Sequence, residues 1–178
     1  MNASVDTDKQ GSVGKILPDY LCKIVNKDSS GVGKIYIKGK GLFDAYFSPW
    51  KKRNEVLSRG WFNTGDLGKI DQDGFLFIIG REKNVINFNG MKIFPLEVES
   101  VINQYPKVKE SFVYGLDHAQ YGQLPAAKVV LKDGGKKSFD TEDLRRFCYK
   151  QLVSYKVPKE FEFIEKLPKT ISGKIRVF

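Results

Sequence analysis

The sequence predicts an α+β protein, with a β-rich first part running to about residue 80 and a small mixed α/β domain after it. Three observations lead there. Alternating or short apolar runs separated by turn residues fill the first part. Helical periodicity with start and stop signals first occurs after Gly80, and short strand patterns then accompany two helices. A length of 178 residues allows one domain or two small ones, and 41% hydrophobic with 13% aromatic residues is enough to build a core.

Each element has its own local signal. Tyr20–Val25 (YLCKIV) is an apolar-rich strand that ends at a turn cluster over residues 26–33, and residues 34–38 (KIYIK) alternate like a half-buried strand, so the two predict a hairpin. Residues 68–71 and 75–79 flank Gln72-Asp73-Gly74 and predict a second hairpin, with Gly74 supplying the positive backbone angle. Pro95 suits the first turn of a helix in which Val98, Val101, Ile102 and Tyr105 share one face until Pro106 stops it. Asp140, with Asp143 three residues on, caps a second helix that buries Leu144, Phe147, Cys148 and Leu152. Residues 111–114, 127–131 and 160–164 read as short strands.

Composition narrows the function classes. The net charge of +9 favours anionic partners such as nucleotides, coenzyme A or nucleic acid without choosing among them, and the scattered lysines also suit a solvated basic face. Neither an RNA-recognition aromatic motif nor zinc-finger spacing supports nucleic acid as the partner. No apolar run approaches the roughly 20 residues that span a bilayer, and the start MNASVDTDKQ lacks a signal-peptide core, so a soluble, cytoplasmic protein is expected. Cys22 and Cys148 suggest no disulfide framework, and no His or Cys cluster suggests zinc; both thiols read as reduced packing residues. Six Gly-Lys pairs invite a phosphate-loop reading, yet none has a glycine five residues before it or a Ser or Thr after it.

Three motifs in fixed order carry more information. They are Gly60-Trp61-Phe62-Asn63-Thr64-Gly65-Asp66, then Gly80-Arg81-Glu82-Lys83 followed by Gly90-Met91-Lys92-Ile93-Phe94-Pro95-Leu96-Glu97, and finally Pro168-Lys169-Thr170-Ile171-Ser172-Gly173-Lys174. Together they resemble the carboxyl-terminal portion of the acyl-adenylate-forming superfamily, which includes acyl-CoA synthetases, peptide-synthetase adenylation domains and luciferases. The resemblance covers nearly the whole chain.

It implies a division into residues 1–80, the barrel-like end of a larger amino-terminal domain, a hinge at 81–84, and a lid domain at 85–178. By the same resemblance Asp66 accepts hydrogen bonds from the two ribose hydroxyls of ATP or AMP, a task for a short, fixed anion. Arg81 contacts the ribose region, with a structural ion pair to a nearby carboxylate as the alternative. Lys83 is the hinge residue about which the lid rotates, the alternative being a plain linker lysine. Phe88, Asn89 and Gly90 form the thiol side, where a glycine without a side chain lets backbone approach the pantetheine arm of coenzyme A; a simple β-turn competes with that role. Lys174 is the catalytic lysine that reaches the substrate carboxylate and the α-phosphate during adenylation, with a solvated terminal lysine as the alternative. Luciferases commonly carry a lysine at the position of Asn87, so the asparagine disfavours their chemistry.

The implied enzyme joins a fatty-acid-like carboxylic acid to coenzyme A through acyl-AMP, using ATP and Mg2+. The expected phosphate-binding Pro-Lys loop and the Thr-Glu motif associated with magnesium lie upstream in relatives, so this chain is expected to hold no metal, to bind no cofactor tightly, to need the amino-terminal part of its enzyme as a partner, and to be inactive alone. Loading of a carrier protein instead of coenzyme A, and a non-catalytic basic nucleotide- or nucleic-acid-binding module, are the competing readings.

Overall fold

Local side chains set the first hairpin. β1 (Tyr20–Val25) and β2 (Gly33–Gly39) pair antiparallel from Tyr20 opposite Gly39 to Val25 opposite Lys34. In the connection, Asp28 Oδ1 accepts the backbone N–H groups of Ser30 at 2.9 Å and Val32 at 3.1 Å, the local bonding that makes Asp a turn residue. β3 (Ala45–Tyr46) and β4 (Lys51–Lys52) form a separate two-stranded ribbon, followed by the single turn α1 (Arg53–Val56) and β5 (Leu57–Ser58). β6 (Trp61–Ile70) is the central strand, bonded to β2 and to both β5 and β7 (Leu76–Arg81). The computed structural model describes residues 9–132, 139–170 and 175, and the chain divides into two compact units, Met1–Lys83 and Asn84–Phe178.

The first unit is this strongly bulged, barrel-like sheet, with Val32, Ile35, Leu67, Phe75 and Leu76 buried. The β6–β7 turn has the predicted glycine: Gly74 sits at φ +83°, while Asp71 Oδ1 accepts the N–H groups of Asp73 and Phe75.

The second unit begins with β8 (Ile86–Phe88) and β9 (Met91–Ile93), then α2 (Pro95–Ile102), β10 (Val108–His118), β11 (Gly122–Leu131), α3 (Thr141–Gln151) and β12 (Glu160–Phe163). The sheet order is β10-β11-β8-β9, and β12 adds parallel to the far end of β11. Ile86, Ile93, Val98, Ile102, Val113, Val129, Leu144 and Cys148 are at most 1% exposed and form one core from both helices and the sheet. Burial pushes the Cys148 thiol up to about 11, so it serves as a packing group. Asp140 caps α3 as expected, its Oδ1 accepting the Glu142 N–H at 2.8 Å.

Two expectations need correction. α2 ends at Ile102, so Tyr105 is not a helical residue; the N–H groups of Gln104 and Tyr105 bond three residues back, to Val101 and Ile102, and these tight turns close the chain before Pro106. The strands expected at 111–114 and 127–131 are the middle of an 11-residue strand and the last half of a 10-residue strand that pair over nearly their whole length, from Val108 opposite Leu131 to His118 opposite Gly122. Cross-strand pairing carries these strands through Gly115 and Pro125, which are weak strand formers on their own.

Candidate functional site

The Thr-Gly-Asp motif sits in the middle of β6 because the strand bulges there. Lys34 pairs with Leu67 and Tyr36 with Asn63, so Thr64, Gly65 and Asp66 lie opposite the single residue Ile35. Bulged residues cannot give their N–H groups to the ladder, and neighbouring side chains take them instead. The Gly65 N–H donates to Asn63 Oδ1 and the Asp66 N–H to Thr64 Oγ1, both at 3.0 Å. Thr64 Oγ1–H donates to the Ile35 carbonyl at 3.1 Å, which pins the bulge to β2. Gly65 takes φ +74°, a conformation open to glycine at little cost.

A second bulge brings the arginine to the aspartate. The β6–β7 turn sets the register Ile70 opposite Leu76 through Gly68 opposite Ile78. Continued unchanged, that register would put Gly80 opposite Asp66. The register shifts between Leu67 and Gly68 instead, leaving Ile79 as an extra residue on β7 and placing Arg81 opposite Asp66. Arg81 Nη1 donates to Asp66 Oδ1 at 3.0 Å and to the Thr64 carbonyl at 2.9 Å. The Arg81 side chain is 50% exposed and that of Asp66 26%, so the pair stays open to solvent. Oδ2 of Asp66 has no partner among the described residues.

Gly65, Arg81, Glu82 and Lys83 line a recess of about 530 Å³. Glu82, Lys83 and Asn84 make one 3-10 turn, and the boundary between the two compact units falls directly after Lys83. Glu82 is tied to β2 through Lys34 Nζ at 2.5 Å, a bond that raises the lysine pKa above its ordinary value. Lys83 makes no ion pair among the described residues. The ion-pair reading of Arg81 and the nucleotide reading of Asp66 thus meet in one pair, since the carboxylate Arg81 engages is Asp66 itself.

Phe88, Asn89 and Gly90 form the tip of the β8–β9 hairpin. Asn89 at φ +49° and Gly90 at φ +81° are the two central residues of the turn, the Asn-Gly combination that two-residue hairpin loops favour. The Gly90 N–H donates to Asn87 Oδ1 at 3.1 Å, and a Cβ at Gly90 would meet nothing within 4 Å. The tip of the β10–β11 hairpin holds this turn. The Asn89 N–H donates to the Tyr121 carbonyl at 2.8 Å, the Asn87 N–H donates to Gln123 Oε1 at 3.1 Å, and the Phe88 ring stacks on Tyr121 with centroids 5.4 Å apart. Tyr121 and His118 carry no motif of their own in the sequence, and only their place at the end of the β10–β11 hairpin reveals them.

Lys174 and Gly173 lie outside the described residues. Their flanks are described: Lys169 and Ile175 form a β-bridge, Lys169 Nζ pairs with Glu110 at 2.6 Å, and Ile175 packs against Phe112, Val130 and Leu167. Among the described residues no group of three or more His, Cys, Asp or Glu side chains could hold a metal ion. Nor is any described helix long and apolar enough to cross a membrane.

The AMP-binding enzyme C-terminal domain family matches residues 97–174. The 2-succinylbenzoate–CoA ligase of Listeria monocytogenes is 38% identical over 169 residues, covering 95% of this chain and 34% of that enzyme. A putative acyl-CoA ligase of Bacillus subtilis is 38% identical over 175 residues, covering 95% and 34%. Among solved structures, the Bacillus subtilis o-succinylbenzoate-CoA synthetase in complex with its acyl-adenylate intermediate superposes with a TM-score of 0.84 at 32% identity, covering 95% of this chain and 35% of that one. ATP-bound MatB from Rhodopseudomonas palustris gives 0.81 at 34% identity, covering 93% and 34%. The chain therefore spans about a third of the length of the curated relatives it matches. With the bulged Thr-Gly-Asp strand, the Asp66–Arg81 pair and the Asn-Gly turn in place, the chain belongs to the carboxyl-terminal portion of the acyl-adenylate-forming superfamily.

Proposed function

We propose that this chain is the hinge-and-lid portion of an ATP-dependent acid–CoA ligase that works through an acyl-AMP intermediate. The observation that carries the proposal is the Asp66–Arg81 pair, aligned by two bulges at the edge of a recess that also includes Lys83. One carboxylate oxygen is occupied by the guanidinium and the other is unpartnered among the described residues, an arrangement suited to accepting hydrogen bonds from vicinal hydroxyls. Arg81 orients Asp66 and supplies positive charge beside the nucleotide. Lys83, in its short 3-10 turn, is the pivot, where a small backbone rotation reorients the lid domain.

In the first half-reaction, Lys174 neutralises charge where the acid's carboxylate attacks the α-phosphorus and pyrophosphate leaves. In the second, the turn of Phe88, Asn89 and Gly90 faces the incoming thiol of coenzyme A, its glycine leaving room for the pantetheine arm. Mg2+, which finds no ligand cluster among the described residues, would shield the phosphate charge in the intact enzyme. The names of relatives at 36–38% identity favour an aryl acid such as 2-succinylbenzoate over the fatty-acid-like substrate expected from the motifs.

AMP titration followed by amide NMR tests the nucleotide half. AMP should shift resonances at residues 64–66 and 81–83, and Asp66→Ala should weaken binding by about tenfold or more, as expected for a lost charged acceptor. Equal AMP affinity in Asp66→Ala and the parent chain would end this assignment. The chain alone should show no ATP–pyrophosphate exchange; exchange abolished by Lys174→Ala would overturn the view that it holds only half of an active site.

A further inference from the structure

The only histidine in the chain occupies an unusual place in the support of the 88–90 turn. His118 ends β10, and its Nδ1 accepts two backbone N–H groups, from Gln120 at 3.2 Å and Tyr121 at 3.3 Å. Its ring stacks on Tyr121 with centroids 4.9 Å apart, and Tyr121 stacks in turn on Phe88. The carbonyl of the same Tyr121 receives the Asn89 N–H. One imidazole lone pair therefore closes the turn whose backbone and ring hold Phe88 and Asn89. No other side chain bonds the N–H groups of Gln120 and Tyr121 among the described residues.

We propose that His118 is a positioning residue for the turn of Phe88, Asn89 and Gly90, acting as a proton-dependent latch: the neutral imidazole, with Nδ1 unprotonated, closes the residue 118–121 turn and fixes the thiol-side loop, and protonation at Nδ1 releases it. Adding a proton to Nδ1 converts an acceptor into a donor facing two N–H groups, so both bonds are lost and like dipoles oppose one another. The titratable neighbours are Asp117, whose Oδ1 lies 3.5 Å from Gln123 Nε2, and Tyr121, the stacking partner; the facing β8 presents Phe88, which is neutral. The Gln123–Asn87 and Gly90–Asn87 bonds do not pass through the imidazole, so release loosens the hold of Tyr121 on Asn89 while β8 stays attached at Asn87 and Gly90 stays bonded to Asn87 Oδ1. The functional consequence rests on the thiol-side assignment of Gly90, whereas the latch itself does not.

Amide hydrogen exchange and NMR on the full chain separate the two. Protection of the Asn89 N–H, corrected for intrinsic exchange at each pH, should fall by on the order of tenfold as His118 protonates, because two hydrogen bonds that hold its acceptor are lost. The midpoint should coincide with that of the His118 ring Cε1–H resonance measured in the same samples. His118→Asn, which keeps a short acceptor without titrating in this range, should keep Asn89 protected at every pH. His118→Ala should leave it unprotected throughout while the Val113 and Val129 amides stay protected. An Asn89 protection that ignores the His118 titration, or that survives in His118→Ala, overturns the latch. If the latch holds but coenzyme A causes no shift near Gly90 once the chain is joined to the rest of a ligase, the thiol-side assignment fails and the latch stands.

Discussion

Both candidate regions are built on bulges or turns between antiparallel strands, but they are held in different ways. Asp66 meets Arg81 through strand register within one pair of neighbouring strands, and every group that shapes their bulge comes from β2, β6 or β7. The turn at 88–90 supplies little of its own support. Its N–H groups at Asn87 and Asn89 are taken by Gln123 and Tyr121, more than thirty positions along the chain. The first region therefore depends on local residue count, and the second on the folding of a remote hairpin.

The largest test of that contrast removes core volume from the second unit. Ile102→Ala, at a fully buried position in α2, should cost about 2–5 kcal/mol. Trp50 and Trp61, the only tryptophans, both lie in the first unit, so their fluorescence reports on that unit alone. In urea, the helical circular dichroism of the variant should be lost at lower concentration while the tryptophan transition stays in place. A joint shift of both signals would mean that the two regions share one cooperative fold.

A smaller effect is expected at Glu99. This half-buried carboxylate of α2 accepts the N–H of Val113 at 2.8 Å on β10, the edge strand of its sheet, and burial raises its pKa above the ordinary carboxylate range. Glu99→Leu leaves that N–H unsatisfied and should cost about 1–3 kcal/mol, whereas Glu99→Gln keeps an acceptor. The sign of the pH dependence comes from the raised value. The folded carboxyl binds its proton more readily than the unfolded one, so its contribution favours folding below the unfolded pKa and is lost as pH rises through the folded pKa. Denaturation at stepped pH between about 4 and 7 should show this slope in the parent chain and lose it in Glu99→Gln.

The smallest pair of effects sharpens the contrast most. Gly65→Ala and Gly90→Ala each force a left-handed residue and should cost about 1 kcal/mol in melting experiments. Only at Gly65 does the new methyl contact the site, lying 3.6 Å from Arg81 Nη1, while at Gly90 it meets nothing within 4 Å. AMP affinity should therefore drop in Gly65→Ala and stay unchanged in Gly90→Ala.

Much of this was legible in the sequence where local chemistry decides the outcome. Gly74, Pro95 and Asp140 mark a turn, a helix start and a cap, and each does so through its own backbone or side chain. The 88–90 turn and the Thr-Gly-Asp motif could be singled out, but not the strand over residues 61–67 or the bulges that aim Asp66, because register depends on partners that one strand's residues do not name. The ends of the β10–β11 hairpin were missed for a related reason. His118, Gly122 and Gln123 have little strand propensity, and only pairing makes them strand residues. Tyr105 kept the helical spacing while lying beyond the helix, where it packs edge-on to Phe139 and Phe147.

The bulge at Ile79 makes the two strands that carry Asp66 and Arg81 unequal in their tolerance of gaps. Between the Gly68–Ile78 and Asp66–Arg81 pairs, β6 spends the single residue Leu67 while β7 spends both Ile79 and Gly80. A chain lacking Ile79 could pair Gly80 with Leu67 in a regular ladder and still bring Arg81 opposite Asp66. A chain lacking Leu67 has no such remedy, because two surplus residues would then have to bulge from β7 for the pair to meet. In a related sequence, a one-residue gap therefore carries opposite meanings on neighbouring strands: harmless to the pair at Ile79, and a sign of lost alignment at Leu67.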